Sequence, residues 1–264
     1  MNFEDVEGAR QLYNEKMMTV KDIRERAELY SQYKKAYKAY FVDCQLRAFF
    51  SEINYEHNKG IDASFLESTG LIDVGDTYYS NDLVKGKYKN IDFTQADAEI
   101  IKYFQKSSSD EYNPIEIDTR SKIAFKGRFL IFEFSKKIFS RVAILPRYAE
   151  SFFVDPVKQA GLKDIETEST DFNKVFKVYA EDGFEAFYIL DPAFIECTER
   201  FGDRYQYKVS LYFIKNKMII GINDGNDSFE PPDPALTIEE TTERTKILEN
   251  MKIITDVVAS LNIS

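Results

Sequence analysis

The chain has 264 residues, about one to two domains at the usual ~150 residues each. Its 44% apolar content, with 22 Phe and 17 Tyr, can fill a sizeable core and excludes the disordered, collagen-like and low-complexity classes. Thirty-five basic against 45 acidic residues leave a net charge of −10, which argues against a nucleic-acid-binding surface. Two cysteines exclude a disulfide scaffold and fit a reducing cytosol, and the single histidine, His57, removes most histidine-based metal sites.

The N-terminus, Met1 to Glu7, is acidic and lacks the basic and apolar regions of a signal peptide. No stretch approaches the ~18 to 20 uncharged apolar residues of a membrane span. The first 52 residues are expected to be one helical arm. Val20, Ile23, Ala27, Tyr30, Tyr37, Phe41 and Cys44 recur at three- and four-residue steps, and no Gly or Pro falls between Ala9 and Lys59. From Gln11 to Glu52 such a helix would reach ~60 Å at 1.5 Å per residue, longer than a compact domain needs. Its far end would leave Tyr13, Met17 and Val20 to be covered by a partner or a second copy. Its mixed charge (Asp22, Glu25 and Glu28 against Lys21, Arg24 and Arg26) favours a protein contact over a lipid one.

From Asn58 onward the period shortens and turn residues appear. Strands are expected over 71–74, 87–93 and 99–104 (the last also fits a helix), and Ser107 to Glu111 forms a polar loop. The strongest strand signal in the first half is Lys122 to Phe134, with a bulge at Lys126-Gly127. Ser135 to Lys137 turns the chain back along Arg141 to Leu145. Asp155-Pro156 opens a short helix that Gly161 closes, and strands follow over 165–169 and 172–179. Asp191-Pro192 caps a helix that turns Phe194, Cys197 and Phe201 inward and ends at Gly202. Val209, Leu211 and Phe213 alternate, as do Met218, Ile220 and Ile222 beyond Lys215-Asn216, an antiparallel hairpin. Thr237 to Glu240 has the pattern of a capping box, and the helix it opens carries Ile247, Met251, Ile254, Val258 and Leu261 on one stripe. The class is α+β, with antiparallel hairpins and a C-terminal helix on the sheet. The division expected is a 1–52 arm and a single 53–264 domain of two β-rich halves, about 53–150 and 160–264.

Catalytic signatures are sparse. His57 follows Tyr55-Glu56 at an expected helix end, where the helix dipole alone favours it, with no nucleophile motif nearby. Asn223 to Asp227 has the look of a calcium loop, but the sixth position from Asp224 is Phe229 rather than Gly, so a turn is the better reading. Cys44 and Cys197 lie on apolar stripes and are expected to be buried and inert. Acidic pairs such as Glu166/Glu168 and Glu239/Glu240 fit solvated positions. There is no phosphate-binding glycine loop and no nucleophile elbow.

The ordered set of segments resembles a bacterial family catalogued as a domain of unknown function, family 3137. The most specific stretch is Phe172 to Tyr179, then Asp182, Ala186, Tyr188-Ile189-Leu190 and Pro192. Leu12 to Glu15, Ser68 to Leu71, Phe125-Lys126-Gly127 and Phe229-Glu230-Pro231 support it. The resemblance implies no catalytic residues. It does imply that many relatives carry a pair of membrane-spanning helices after the N-terminal charged helix. This chain departs there, having Lys34 to Phe41 in that place. The expectation is a non-catalytic binding or scaffolding module at the cytoplasmic side of a membrane system, with no cofactor and no metal. Its partner would be a protein or a second copy, docked through the N-terminal helix. The alternative is a hydrolase using carboxylates or His57 in a cleft between the two halves.

Overall fold

In a computed structural model, which describes residues 2–108, 116–135, 139–206 and 208–260, the N-terminal region is a folded hairpin rather than one helix. It comprises α1 (Phe3–Met17), α2 (Ile23–Tyr37), a π-helical segment (Lys38–Asp43) and α3 (Cys44–Phe49). No glycine or proline makes the break. Asp22 does, its side chain capping α2 by accepting from the Arg24 amide at 2.8 Å. The two helices run antiparallel: Phe3 meets Phe41 at 6.1 Å between ring centroids, and Tyr13 meets Tyr30 at 5.6 Å. Tyr37 and Phe41 of the expected stripe are fully buried, and so is Val6. Ile23 and Cys44, expected inside, are exposed, because the break and the wider π turn rotate them away from the sheet.

Next come β1 (Glu52–Glu56), α4 (Ala63–Ser68), β2 (Thr77–Tyr88), β3 (Ile91–Ser108), β4 (Glu116–Glu133) and β5 (Phe139–Pro146). After these lie α5 (Ser151–Gln159), β6 (Lys163–Ile165), α6 (Thr170–Val175), β7 (Phe176–Ala180), α7 (Gly183–Ile189) and α8 (Pro192–Arg204). The chain ends in β8 (Val209–Lys215), β9 (Lys217–Ile222) and α9 (Glu240–Ser260). The class is α+β. A nine-stranded sheet has the order β1-β2-β3-β4-β9-β8-β5-β7-β6, and every pairing in it is antiparallel. Because β5 lies between β8 and β7, the two expected halves are interleaved within one sheet.

Several local expectations are corrected. Residues 71–74 pair with no strand. The strand expected over 87–93 is split by a two-residue turn at Lys89-Asn90, both at positive φ (45° and 64°), the geometry that matches strand twist. Residues 99–104 are strand. There is no bulge at Lys126-Gly127. The register slips instead between Ile100 and Ile101, and Gly127 is required because a Cβ there would sit 1.9 Å from the Ile222 carbonyl oxygen. α5 starts at Ser151 and holds Pro156 inside it, so Asp155 is not its cap. Residues 170–175 are helical, with Ser169 accepting from the Phe172 amide, so the strand expected from Phe172 begins at Phe176. Asp191 caps α8 as expected, although the helix runs on to Arg204. α9 starts at Glu240, so Thr237 is not its cap. Residues 109–111, 136–137 and Leu261, which carry parts of the expected loop, turn and stripe, lie outside the described residues.

Strand alternation feeds two cores. On one face Leu130, Phe132, Val142, Ile144, Leu211 and Ile220 pack under α1, α2, α8 and α9, with Ile247, Met251, Ile254 and Val258 turned inward. On the other, Phe125, Ala143, Leu145, Tyr212 and Ile219 pack against Leu66 of α4 and Val157 of α5.

A candidate polar site beneath the N-terminal hairpin

Within the first core lies a cluster of charged groups where apolar packing would be expected. It begins at a strand irregularity. The pairing of β2 with β3 jumps between Asn81 and Val84, and Asp82 takes φ +58°, a left-handed conformation that Asp tolerates better than most residues. The Asp82 amide donates to the His57 carbonyl at 3.2 Å, and its side chain is wholly buried. Above it the π-helical segment presents Lys38. Such wide turns are rare and recur where a helix must redirect a side chain. The Lys38 ammonium lies 2.5 Å from Asp82 Oδ2 and 2.9 Å from Glu230 Oε1, and Lys34 reaches the same Glu230 oxygen at 2.7 Å. Tyr55 donates its hydroxyl to Asp82 Oδ1, and Asn81 Nδ2 donates to Oδ2 at 2.7 Å.

Burial pulls the Lys38 ammonium down in pKa, but Asp82 and Glu230 outweigh it, and the net effect is upward. Burial pushes the Asp82 carboxyl up, against Lys38 and Tyr55. The first direction favours the charged form of the pair and the second the neutral form. Three donors converging on Asp82 decide the matter, because an acceptor-only carboxylate satisfies all of them. Burial also raises the Tyr55 hydroxyl far above its ordinary value, with Asp82 adding to the effect, so it remains a donor.

The second half of the cluster lies across the strands. Asp97 of β3 stands opposite Arg128 of β4, with Gln95 two residues along on the same face. All three are 2–3% exposed. Asp97 Oδ2 accepts from the Ser228 amide at 3.0 Å, and Asn250 of α9 holds the Ser228 carbonyl at 3.0 Å. This fixes the loop after β9 so that Asp227 faces Asp97. Burial first, and Asp227 second, push the Asp97 carboxyl well above the ordinary range, with Arg128 opposing them. Oxygens of Asp82, Asp97 and Asp227 lie within 4.8 Å of one another, a spacing a hard cation could use. Two of the three already face a cation of the chain, Asp82 the Lys38 ammonium and Asp97 the Arg128 opposite it. The arrangement therefore reads as a charge-balanced core.

Asp97 binds a proton more tightly in the folded chain than in the unfolded one. Its favourable contribution is greatest below the ordinary carboxylate pKa of ~3.9 and declines as pH rises toward the raised folded value. Asp97→Asn keeps an acceptor for Ser228 and a donor for Asp227 without this dependence. The variant is expected to be more stable than the parent at pH 7.5 by ~1 kcal/mol or more, a tenfold change in proton affinity being worth ~1.4 kcal/mol. The gap should close toward pH 4. Urea melts at the two pH values check this, and a destabilised variant at pH 7.5 would show that Asp97 works ionised.

Outside the cluster is an open groove of about 740 Å³, lined by Tyr30, Lys34, Lys38, His57, Asn58 and Asn81. His57 follows β1 rather than a helix, so the dipole argument for it falls. Its ring makes no hydrogen bond among the described residues. Glu166, Glu168 and Glu239 are exposed or nearly so, whereas Glu240 accepts from Tyr40 at 2.6 Å and from Arg244 at 2.9 Å. Cys197 is buried, as expected. Sequence reasoning gives no site role to Asp82, Asp97, Arg128 or Lys38, because their meeting depends on one strand slip and one π turn. Asp227 had a signal, the Asn- and Asp-rich turn of 223–227.

A family model described as "Protein of unknown function (DUF3137)" matches residues 123–263. No curated protein matches the chain. Among solved structures, the crystal structure of the mycobacterial trehalose monomycolate transport factor A, TtfA, is similar over 86% of this chain and 94% of that chain. The identity is 11% and the TM-score 0.38, a likeness too slight to carry an argument. Among the described residues no helix is long and apolar enough to cross a membrane.

Proposed function

The chain belongs to the DUF3137 family, and we propose that it is a non-catalytic binding or scaffolding module acting at the cytoplasmic side of a membrane system. One observation carries the reading. Burial pushes up the carboxyls of Asp82 and Asp97, and both are sealed under the helices at 0% and 3% exposure, which supports a role in ordering the core over one at a substrate. A hydrolase would need such groups in an open cleft. The open groove offers His57 with no carboxylate or hydroxyl hydrogen-bonded to it among the described residues. The membrane-proximal placement rests on the family resemblance alone.

The N-terminal hairpin remains the contact element in this reading, through its tip rather than its stripe. Met18 and Ile23 are 90% and 80% exposed on either side of the turn, while the inner face is occupied by the chain's own core. Met18→Ser/Ile23→Ser leaves that core untouched. It is expected to weaken self-association at least ~10-fold, as removal of central apolar anchors does. Sedimentation at several concentrations reads this directly. A parent that is monomeric throughout, or a variant with the same mass distribution, would defeat self-docking.

A further inference from the structure

Helix α7 is built the wrong way round for a core helix. Ala186 faces the sheet with no exposure, and Gly183 lies against Ile165, whereas the large side chains point to water. Phe184 is 84% exposed, Tyr188 87% and Phe187 49%. The spacing of three and four residues joins them into one surface. Aromatics of this size bring ~150 to 250 Å² each, so the three form a patch of the size that marks contact sites. Phe187 also walls a groove of about 670 Å³ that continues over Leu190, Pro192 and Ile195.

The rim of the groove has one sign of charge. Glu168, Glu196 and Glu199 line it together with Asp191, and among the described residues no Lys or Arg does. Burial and the charges of Asp171, Asp203 and Glu196 raise the Glu199 carboxyl, so the negative potential is felt within the cluster. An apolar floor with an acidic rim selects its occupant. A second copy of this chain presenting the same face would set Glu168, Glu196 and Glu199 against their own counterparts. An anionic membrane surface would be repelled in the same way.

We propose that the α7 face and its acidic groove form a docking site for an apolar segment of a partner protein that carries Lys or Arg beside its anchoring side chains. This goes beyond the self-contact at the N-terminal hairpin, since it names another surface and another partner chemistry. The carboxylates would steer and orient the segment, and burial of Phe184, Phe187 and Tyr188 would hold it.

The probe is a synthetic Lys/Leu peptide of helical periodicity, with a Lys/Ser peptide of equal charge beside it. Binding is followed by fluorescence anisotropy on the full chain at ~0.15 M salt, where non-specific attraction is screened beyond ~8 Å. The Lys/Leu peptide is expected to bind at least ~10-fold more tightly than Lys/Ser. Phe184→Ser/Tyr188→Ser and Glu196→Lys/Glu199→Lys should each weaken it at least ~10-fold with unchanged melts. Glu15→Lys/Glu67→Lys, with the same charge change on the exposed surfaces of α1 and α4, should not. Failure of the parent to bind, equal binding of the two peptides, or equal loss in the α1/α4 control would overturn the proposal. So would capture by zwitterionic vesicles that Phe184→Ser/Tyr188→Ser abolishes, which would make the face a lipid site. Should the peptide result fail while Met18→Ser/Ile23→Ser still shifts sedimentation, only this site falls and the binding-module reading stands.

Discussion

Removal of residues 1–30 is expected to abolish the cooperative thermal transition. The segment takes with it Val6, which has no exposure, and Val20, which has 9%. It also removes the ties that hold α1 to the proline-rich connection before α9. Arg10 Nη1 donates to the carbonyls of Pro234 and Leu236 at 2.8 and 3.0 Å, and Asn14 Nδ2 donates to Pro234 at 2.6 Å. Tyr33, Tyr37 and Phe41, all fully buried, would lose their cover. Exposing three such side chains costs ~1.5 to 3 kcal/mol each, against a total stability of ~5 to 15 kcal/mol. Tyr30, which lines the groove beside Lys38, would go as well. Calorimetry of the shortened chain decides the point. A cooperative melt within ~5 °C of the parent would mean that 1–30 is an arm after all, carried by a core that folds alone.

The difference between arm and hairpin shows which kind of information the sequence carries. Periodicity located helix almost correctly over 3–49, because apolar spacing is a local property. It could not locate the break, since Asp22 is one N-cap among many acidic residues and neither Gly nor Pro marks it. Strand type was legible where alternation was strong, as in β4, β8 and β9. It failed at 172–175, where Phe172 and Phe176 satisfy a helical turn as well as a strand. Sheet order was not legible at all: the placement of β5 between β8 and β7 depends on contacts far apart in sequence. The polar site was hidden for the same reason. Asp82 is buried because the β2–β3 register slips beside it, and Asp97 meets Arg128 only once β3 and β4 are in register. Before folding, Asp82, Asp97 and Arg128 are unremarkable members of a set of 45 acidic and 35 basic residues.

Lys38→Met should destabilise the protein by ~3 to 5 kcal/mol, the cost of removing one partner from a buried ion pair. The methionine fills the volume of the lysine stem, so the loss is electrostatic rather than a cavity. Asp82 is left with Tyr55 and Asn81 as donors but with no cation, at a position wholly sealed from water. Glu230 suffers less, because it keeps Lys34 at 2.7 Å. The asymmetry makes the effect specific to one carboxylate and provides its control. Asn at position 82 can hold the same left-handed backbone, accept from Tyr55 and carry no charge. Lys38→Met/Asp82→Asn is therefore expected to recover most of the loss, since replacing both partners of a buried pair is often close to neutral. Urea midpoints at constant m-value give all four corners of the cycle. A single-variant loss below ~1 kcal/mol would place Lys38 in the class of exposed pairs, whose contribution is ~0 to 1 kcal/mol. A double variant no more stable than Lys38→Met would show that the cost lies in the π-helical segment itself and not in the uncompensated charge of Asp82.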